Sequence, residues 1–224
     1  MPSINTNVAA IKARSNLDRV QRDLDTSIAR LSSGKRITRA HDDAAGQAIA
    51  GRMESQVRGL TMGVRHAKDG QSLVDTQEGA LLEVEGILQR MRELAVQKSS
   101  GVAVSADQDY LNLEMTALTN ELDAISANTK FNGTTVMSTA YNFLTDIDAS
   151  GTAIAVSEGT MGQTALAVNM AVVSIASGST VTITSVLTSI DAGLATVANR
   201  RATLGAVSNR FDHVIDNLTN VIAN

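Results

Sequence analysis

Cysteine is absent from this chain of 224 residues, and proline and aromatic residues are scarce. Without cysteine, the chain holds no disulfide framework and no thiolate metal site. Its one proline, Pro2, leaves every later residue free to join a helix. Tryptophan is absent and aromatic residues make up 2% of the chain, so a core must be built from Leu, Ile, Val, Met and Ala. This composition favours packed helices over a large β-sandwich.

Long apolar runs are also missing. No stretch of about 18 apolar residues occurs, which excludes a transmembrane helix, and we expect no membrane partner. The amino-terminal sequence MPSINTNVAAIKARS lacks the apolar segment of a Sec signal peptide. The sequence is therefore compatible with two locations: the cytosol, or the cell exterior after export by a route that does not depend on disulfides. The net charge of −4 and the pI of about 5.4 argue against nucleic acid as a partner.

Charge is distributed unevenly along the chain. No Lys or Arg occurs between Lys130 and Arg200, where Ser, Thr, Gly, Ala and Val dominate. The acidic residues of this middle segment are Asp146, Asp148, Glu158 and Asp191. Both flanks are rich in charges of either sign. The pattern indicates two helical arms around a β-rich or irregular insert.

Apolar residues recur every seven positions in the arms. The amino-terminal row is Ala10, Leu17, Leu24 and Leu31. Two neighbouring rows follow, formed by Leu73, Ala80, Ile87 and Leu94 and by Val74, Leu81, Leu88 and Ala95. A third run steps through Leu111, Met115, Leu118, Leu122 and Ile125, and the carboxyl-terminal row is Ile190, Val197, Leu204, Phe211 and Leu218. Arg201 interrupts the row beside the last one.

This spacing predicts long helices that pack nearly parallel to one another, as in coiled coils. At about 1.5 Å per residue, a helix over residues 66–98 is about 50 Å long. Periodicity alone leaves two readings open, a soluble helical bundle and an assembly protein. The fold class that we predict is mainly α, with long antiparallel helices packed as a coiled-coil-like rod and a small β-rich or irregular central insert.

Breaking residues separate these segments. We expect the first helix to end at 32–34 (SSG) and the second at 99–101 (SSG). Asn132-Gly133 predicts a tight turn. Residues 152–156 (TAIAV) and 180–184 (TVTIT) alternate in the manner of strands, whereas the apolar segment 166–175 fits either a strand or a buried helix.

Motifs for catalysis are missing. The chain has no Walker loop, dinucleotide-binding glycine pattern, G-x-S-x-G or H-E-x-x-H, so we expect neither an enzyme nor a cofactor. His41 precedes Asp42 and Asp43, but consecutive side chains diverge, and we interpret this segment as a charged turn or the cap of a helix starting near Ala44. His66 and His213 lie in helical contexts without a nearby nucleophile. We therefore predict no metal site.

A charged stripe at 90–94 (RMREL) lies beside the apolar rows. From the residues alone, Arg90 and Glu93 are solvated and form an i,i+3 ion pair. Leu94 belongs to a seven-residue row and should lie in the core.

Several motifs together resemble the bacterial flagellins. They are INTN (4–7), RLSSGKRI (30–37), DDAAGQAIA (42–50), DG (69–70), TQEGAL (76–81), LQRMRELAVQ (88–97), FNG (131–133) and LGAVSNRF (204–211). Each motif is modest, but their common order and spacing are specific. The likeness covers about residues 3–137 and 189–222.

The resemblance implies a division of the chain. Residues 1–44 correspond to an amino-terminal core helix and spoke, 45–137 to rod-domain helices, 138–188 to a short variable insert and 189–224 to a returning rod helix. It also implies that other copies of the same chain cover the apolar rows. The residues that we predict to pack between subunits are Leu17, Leu24, Leu31, Leu81, Leu88, Leu204 and Phe211.

The resemblance further implies function and partners. Flagellins polymerise into the extracellular filament that drives swimming, after type III export with help from the export apparatus, a chaperone and a filament cap. In some members the Toll-like flagellin receptor reads a face that corresponds here to Arg90, Leu94 and Glu114. The alternatives are a hook–filament junction protein of the same class and a soluble coiled-coil scaffold.

The sequence differs from the flagellin pattern in two ways, and each difference leads to a prediction. The pattern continues beyond residue 224, so we expect the carboxyl end to be incomplete and the further core helix to be absent from this chain. The middle segment is short and nearly uncharged, which on an exposed surface favours aggregation. We therefore predict O-glycosylation there, with Ser157, Thr160 and Ser177 as candidate acceptors.

Overall fold

The computed structural model describes residues 7–99, 105–145, 153–156 and 183–224, with the side chains of 105 and 106 left aside. The chain divides into two compact units, Met1–Val57 and Arg58–Asn224. The helices are α1 (Val8–Ser33), α2 (Ala44–Ser99), α3 (Ser105–Asn128) and α4 (Ile183–Ala223). The strands are β1 (Lys130–Phe131), β2 (Thr134–Thr135), β3 (Tyr141–Leu144) and β4 (Ala153–Val156). The predicted mainly α fold with a small β component is confirmed.

Helix α1 has a defined cap at each end. The side chain of Asn7 accepts a hydrogen bond from the Ala10 N–H at 3.1 Å, which satisfies one of the unpaired amides of the first turn. Gly34 closes the helix in the left-handed conformation, with φ of 65°. The predicted end at residues 32–34 is confirmed, because glycine adopts this backbone at little steric cost.

The segment between α1 and α2 is ordered by two adjacent carboxylates. Asp43 caps α2, since its Oδ1 accepts a hydrogen bond from the Gly46 N–H at 2.8 Å. Asp42 accepts hydrogen bonds from the N–H and hydroxyl of Thr38, at 3.1 and 2.9 Å, and from the N–H of Arg39 at 3.3 Å. The cap predicted at this position is confirmed.

In the second unit the apolar rows of α2, α3 and α4 meet in one core. Its fully buried members include Leu73, Leu81, Leu88, Met91, Met115, Leu122, Ile190, Val197, Leu204 and Phe211. Apart from Met91, these positions belong to the predicted seven-residue and 4-3 rows, so the periodicity identified the buried faces of this unit correctly. Helix α2 ends at Ser99, as its breaking residues predict.

Two short hairpins follow α3. Strands β1 and β2 are antiparallel and are joined by Asn132 and Gly133, whose φ values are 49° and 83°. Positive φ at both turn positions is typical of the type I′ turn, so the predicted turn is confirmed. Strands β3 and β4 pair antiparallel, with Tyr141 opposite Val156 and Leu144 opposite Ala153.

The strand predictions for the middle segment have mixed outcomes. The prediction at 152–156 is confirmed for Ala153–Val156. The prediction at 180–184 is wrong for Ile183 and Thr184, which form the start of α4. Tertiary burial overrides their β-propensity, because from Ile183 the helical spacing brings Val186 and Ile190 into the core. The segment 166–175 lies outside the described residues.

Among the described residues, no helix combines the length and the apolar character that crossing a membrane requires.

Candidate subunit-packing surface

An apolar seam runs along α1. Leu17, Leu24 and Leu31 are 66%, 57% and 88% exposed, and none of the residues of α1 is buried. Val20 and Ile28 lie beside this row and are also exposed. Residues seven apart stand nearly above one another on a helix, so these side chains form one continuous stripe. An exposed stripe of this kind marks an interaction surface.

Beyond its first turn, the opposite side of α1 is mostly polar. Nine residues correspond to two and a half helical turns, so Ser15 stands opposite Leu24. On that side Thr26 donates its hydroxyl proton to the backbone oxygen of Arg22 at 2.9 Å. Helix α1 is therefore amphipathic, and its apolar stripe is exposed.

The remaining four predicted packing residues have a different environment. Leu81, Leu88, Leu204 and Phe211 are at most 1% exposed within the single chain. Other copies cannot contact these side chains directly, because α2, α3 and α4 already cover them. Our expectation that neighbouring subunits bury these rows is corrected here, since periodicity shows which face is apolar but does not show which element covers it.

Phe211 fixes a close contact between α2, α4 and the second hairpin. Its ring lies against Gly70, where a Cβ atom would be 2.5 Å from the ring. The ring also packs edge-on against Phe143, with centroids 5.7 Å apart. Nearby, the carbonyl oxygen of Thr145 approaches Gly63 so closely that a Cβ atom would be 2.7 Å from it. Glycines on α2 thus permit this packing.

Polar side chains bridge α2 and α4 along one flank. Arg201 donates hydrogen bonds to Glu85 at 2.7 Å and to Glu78 at 3.2 Å. These carboxylates, Glu78 first and then Glu85, raise the pKa of the Arg201 guanidinium. Sequence reasoning identified Arg201 only as an interruption in an apolar row. The two carboxylates lie more than a hundred positions away from Arg201 in the chain, so sequence reasoning gave no signal for this bridge.

The residues of the predicted receptor face come together between α2 and α3. Arg90 donates hydrogen bonds to Glu93 and to Glu114, both at 2.9 Å. The carboxylate of Glu93 and then that of Glu114 raise the pKa of the Arg90 guanidinium. Leu94 is 1% exposed and lies in the core beneath them. The predicted i,i+3 ion pair of Arg90 and Glu93 is confirmed.

Some exposed apolar residues were missed by the sequence analysis. They are Leu82 and Val96 on α2 and Tyr110 and Leu113 on α3. None of them belongs to a seven-residue row, so periodicity gave no signal for them. The structure nevertheless places them at the surface of the second unit.

The histidines do not form a common site. His41 is exposed and its Nδ1 lies 3.6 Å from Asp42 Oδ1, whereas His66 Nδ1 lies 3.2 Å from the carbonyl oxygen of Leu144. His213 is an exposed residue of α4. Among the described residues, no group of three His, Asp or Glu side chains is suited to a metal ion. The candidate glycosylation residues lie outside the described residues; they are Ser157, Thr160 and Ser177.

The amino-terminal part of the chain is similar to proteins of known family. Residues 4–142 match the family model described as the bacterial flagellin N-terminal helical region. A flagellin of Salmonella muenchen is 48% identical over 134 residues, which are 60% of this chain and 26% of that protein. A flagellin of Escherichia coli O127:H6 is 47% identical over 134 residues, again 60% of this chain and 24% of that protein. The chain thus spans about a quarter of the length of these relatives.

Two solved structures share the fold. The flagellin of Bacillus cereus is 28% identical, with a TM-score of 0.57, and the match covers 69% of this chain and 88% of that one. A protein described as a flagellar hook-associated protein, from Vibrio parahaemolyticus, has a TM-score of 0.65 at 12% identity. That match covers 81% of this chain and 95% of the other, and at this identity it shows the fold alone. Because the family model matches more than half of the residues, the chain belongs to the bacterial flagellin family.

Proposed function

We propose that this chain is a structural subunit that polymerises into the bacterial flagellar filament, the extracellular propeller of swimming cells. The observation that carries this proposal is the exposed apolar seam of α1, in a chain of the flagellin family. A seam of this extent requires a partner, and the partner that we propose is another copy of the same chain.

The physical mechanism is repeated contact between different surfaces of identical subunits. Contacts of this kind generate an open helical polymer when the rotation between neighbours does not close a ring. Each Leu, Ile or Val of the seam that becomes fully buried contributes about 1.5–3 kcal/mol. Several such side chains lie on α1, so one helix supplies enough apolar surface to drive association before entropy is subtracted.

The further partners follow from family membership and belong to the same proposal. We propose export by the type III flagellar apparatus, an escorting chaperone and assembly beneath a filament cap. The absence of cysteine fits a route that does not depend on disulfides. Family membership also supports a structural and non-enzymatic function for the chain.

The receptor face, the division into domains and the glycosylation remain predictions. For the Toll-like flagellin receptor we propose that the partly exposed Arg90 and Glu114 provide the contact. Leu94 would then support the face from the core, because its side chain is buried in the single chain. For the division into domains, we keep the boundaries after residues 44, 137 and 188 that the resemblance implies.

The proposal is tested by placing a charge in the seam. In Leu24→Asp we expect a folded subunit that no longer forms filaments, because the carboxylate would be buried at the subunit contact. Ser15→Asp is the matched control, since it adds the same carboxylate to the opposite side of α1 and should polymerise. Electron micrographs and sedimentation of purified protein supply the measurement. Normal filaments from Leu24→Asp would contradict the proposal.

The same micrographs distinguish the alternatives. A hook–filament junction protein would give caps or short assemblies, whereas a filament subunit gives filaments of micrometre length. The likeness to the hook-associated protein shows the shared fold only, so it does not favour that alternative. The third alternative, a soluble scaffold, needs a separate measurement: in a blot of the secreted fraction it would be missing.

A further inference from the structure

The apolar rows of α2 and α4 do not by themselves determine how the two helices align. Both helices repeat their buried residues every seven positions, so a shift by seven residues would again place apolar side chains opposite one another. Such a shift displaces one helix by about 10.5 Å, at about 1.5 Å per residue. Some other feature of the interface must therefore select the observed alignment.

A row of polar side chains lies along α2 on the flank that faces α4. We call it the polar row; its members are Gln71, Glu78, Glu85 and Arg92. They are spaced by seven residues, like the buried rows beside them. Every member bonds to α4, and the three α4 residues that take part in these bonds are Asp191, Arg201 and Asp212.

The distances show that the bonds are direct. Gln71 Nε2 donates to Asp212 Oδ1 at 2.5 Å, and Arg92 Nε donates to Asp191 Oδ1 at 2.8 Å. Between them, Arg201 donates to Glu85 and Glu78. The Arg201 and Glu85 side chains are each 32% exposed, so solvent screens this central pair only partly. In the observed alignment each member of the row therefore has a hydrogen-bond partner on α4.

A shift of α4 toward the amino end of α2 would break this pattern. Arg201 would move from Glu78 and Glu85 to Gln71 and Glu78, and would lose one carboxylate. Asp191 would move from Arg92 to Glu85, so two carboxylates would face each other. Like charges in direct opposition are strongly unfavourable.

A shift in the opposite direction has a similar cost. Arg201 would then reach Arg92 in addition to Glu85, which places two guanidinium groups together. Asp212 would move from Gln71 to Glu78, which opposes two carboxylates. Both shifts by one repeat therefore replace attraction with repulsion.

We propose that the polar row, paired with Asp191, Arg201 and Asp212, selects the alignment of α2 and α4. Arg201 is the central residue, because it bonds to two members of the row at once. The apolar rows supply the burial, and the charges oppose both alignments that are shifted by one repeat. This inference does not depend on polymerisation, since all seven residues belong to one unit of a single chain.

Phe211 alone does not account for the alignment. Its ring requires a glycine opposite, which it finds at Gly70. A shift by seven toward the amino end of α2 would bring the ring to Gly63, which also lacks a Cβ atom but has the Thr145 carbonyl oxygen against it. The ring would therefore meet a side chain of α2 only in the opposite shift, at Gln77, whereas the charges act against both shifts.

The alignment is measured with pairs of introduced cysteines, because the natural chain has none. Gln71→Cys with Asp212→Cys reports the observed alignment, and we call it the native pair. Gln71→Cys with Gly205→Cys reports the shift toward the amino end of α2, and Gln71→Cys with Thr219→Cys reports the opposite shift. Each pair is oxidised in the full chain under dilute, monomeric conditions, and the disulfide-linked fraction is measured by peptide mapping.

The charges are then changed in each cysteine background. In the exchange Glu85→Arg, Arg92→Glu we expect the linked fraction of the Gln71→Cys, Gly205→Cys pair to rise about tenfold or more. In the observed alignment this exchange sets like charges against Arg201 and Asp191, whereas in the shift toward the amino end of α2 Asp191 faces a guanidinium group. Adding Asp191→Arg restores the attraction to residue 92 and should return linkage to the native pair. Arg210→Glu is the control, because it changes a charge at an exposed position of α4 outside the row.

A neutral variant keeps the test decisive if the exchange variant does not fold. The variant Glu78→Gln, Glu85→Gln, Arg92→Gln, Asp191→Asn, Arg201→Met removes the charges of the pairing without placing like charges together. We expect native helical content by circular dichroism together with linkage of the Gln71→Cys, Gly205→Cys pair. Linkage of the native pair alone in this folded variant would overturn the proposal, because packing would then suffice. An equal rise of shifted linkage in Arg210→Glu and in the exchange variant would also overturn it.

Discussion

Asp42 shows at the scale of one residue how hydrogen bonds to a carboxylate produce a pH response. The N–H of Thr38, the Thr38 hydroxyl and the N–H of Arg39 donate to it, and they lower its pKa from 3.8 to about 2. A carboxyl whose pKa is depressed in the folded state stabilises that state fully above its unfolded pKa. The contribution is lost as the pH falls through the folded value.

We therefore expect the segment between α1 and α2 to loosen between about pH 4 and pH 2. Carboxyl chemical shifts of Asp42 should titrate in this window, and the amide hydrogens of Thr38 and Arg39 should exchange faster as they do. In Asp42→Asn the same amides should exchange faster at neutral pH, without the acid-dependent step. An Asp42 carboxyl that titrates at an ordinary pKa would contradict this account.

Two glycines of α2 should respond in opposite directions to the same substitution. Gly70→Ala places a methyl group against the buried Phe211 ring, and we expect it to lower the free energy of unfolding by about 1–3 kcal/mol. Gly79 has open space where its Cβ atom would lie, so Gly79→Ala should raise that free energy by about 0.5–1 kcal/mol through helix propensity. Urea unfolding measures both. Equal effects would show that the contact at Gly70 is not tight.

At the scale of elements, the first hairpin depends on its turn. Gly133 has φ of 83°, a conformation that a β-branched residue adopts only with strain. Gly133→Val should therefore lower the free energy of unfolding by about 1–2 kcal/mol. The control is Thr134→Val in β2, where the same side chain suits an extended backbone. Urea unfolding followed by circular dichroism compares the two, and equal losses would refute the turn argument.

The ends of the helices were predictable because local chemistry determines them. Gly34 closes α1 and Asp43 caps α2, and both signals are visible in a few neighbouring residues. The start of α4 was not predictable in this way. Ile183 and Thr184 have strand propensity, and only the burial of Val186 and Ile190 on the helical face decides their conformation.

At the scale of the whole molecule, the sequence predicted which faces are apolar but not which element covers them. The row of Leu17, Leu24 and Leu31 and the row containing Leu81 and Leu88 have the same spacing. The first is exposed, whereas the second is covered by the chain itself. The bond from Arg201 to Glu78 and Glu85 was hidden for the same reason, since it joins residues more than a hundred positions apart.

The two kinds of apolar row should therefore differ in what they contribute to folding. Leu88→Ala leaves a cavity in the core, and we expect it to lower the free energy of unfolding by about 2–5 kcal/mol. Leu24→Ala removes an exposed side chain and should change the stability of the monomer by less than about 0.5 kcal/mol. Urea unfolding at concentrations where sedimentation shows monomers measures both effects.

Polymerisation of folded subunits should depend more on the exposed residues of the seam than on the residues of the core, which is the reverse of their order in monomer stability. A folded Leu24→Ala subunit should polymerise more weakly, because part of the seam that a neighbour would bury is missing. Leu17→Ala and Leu204→Ala extend the comparison, since the first lies in the seam and the second in the core. If Leu24→Ala and Leu17→Ala destabilised the monomer as much as Leu88→Ala does, α1 would be packed within the chain in solution. The seam would then not be available to a second copy, and the proposed basis of polymerisation would fail.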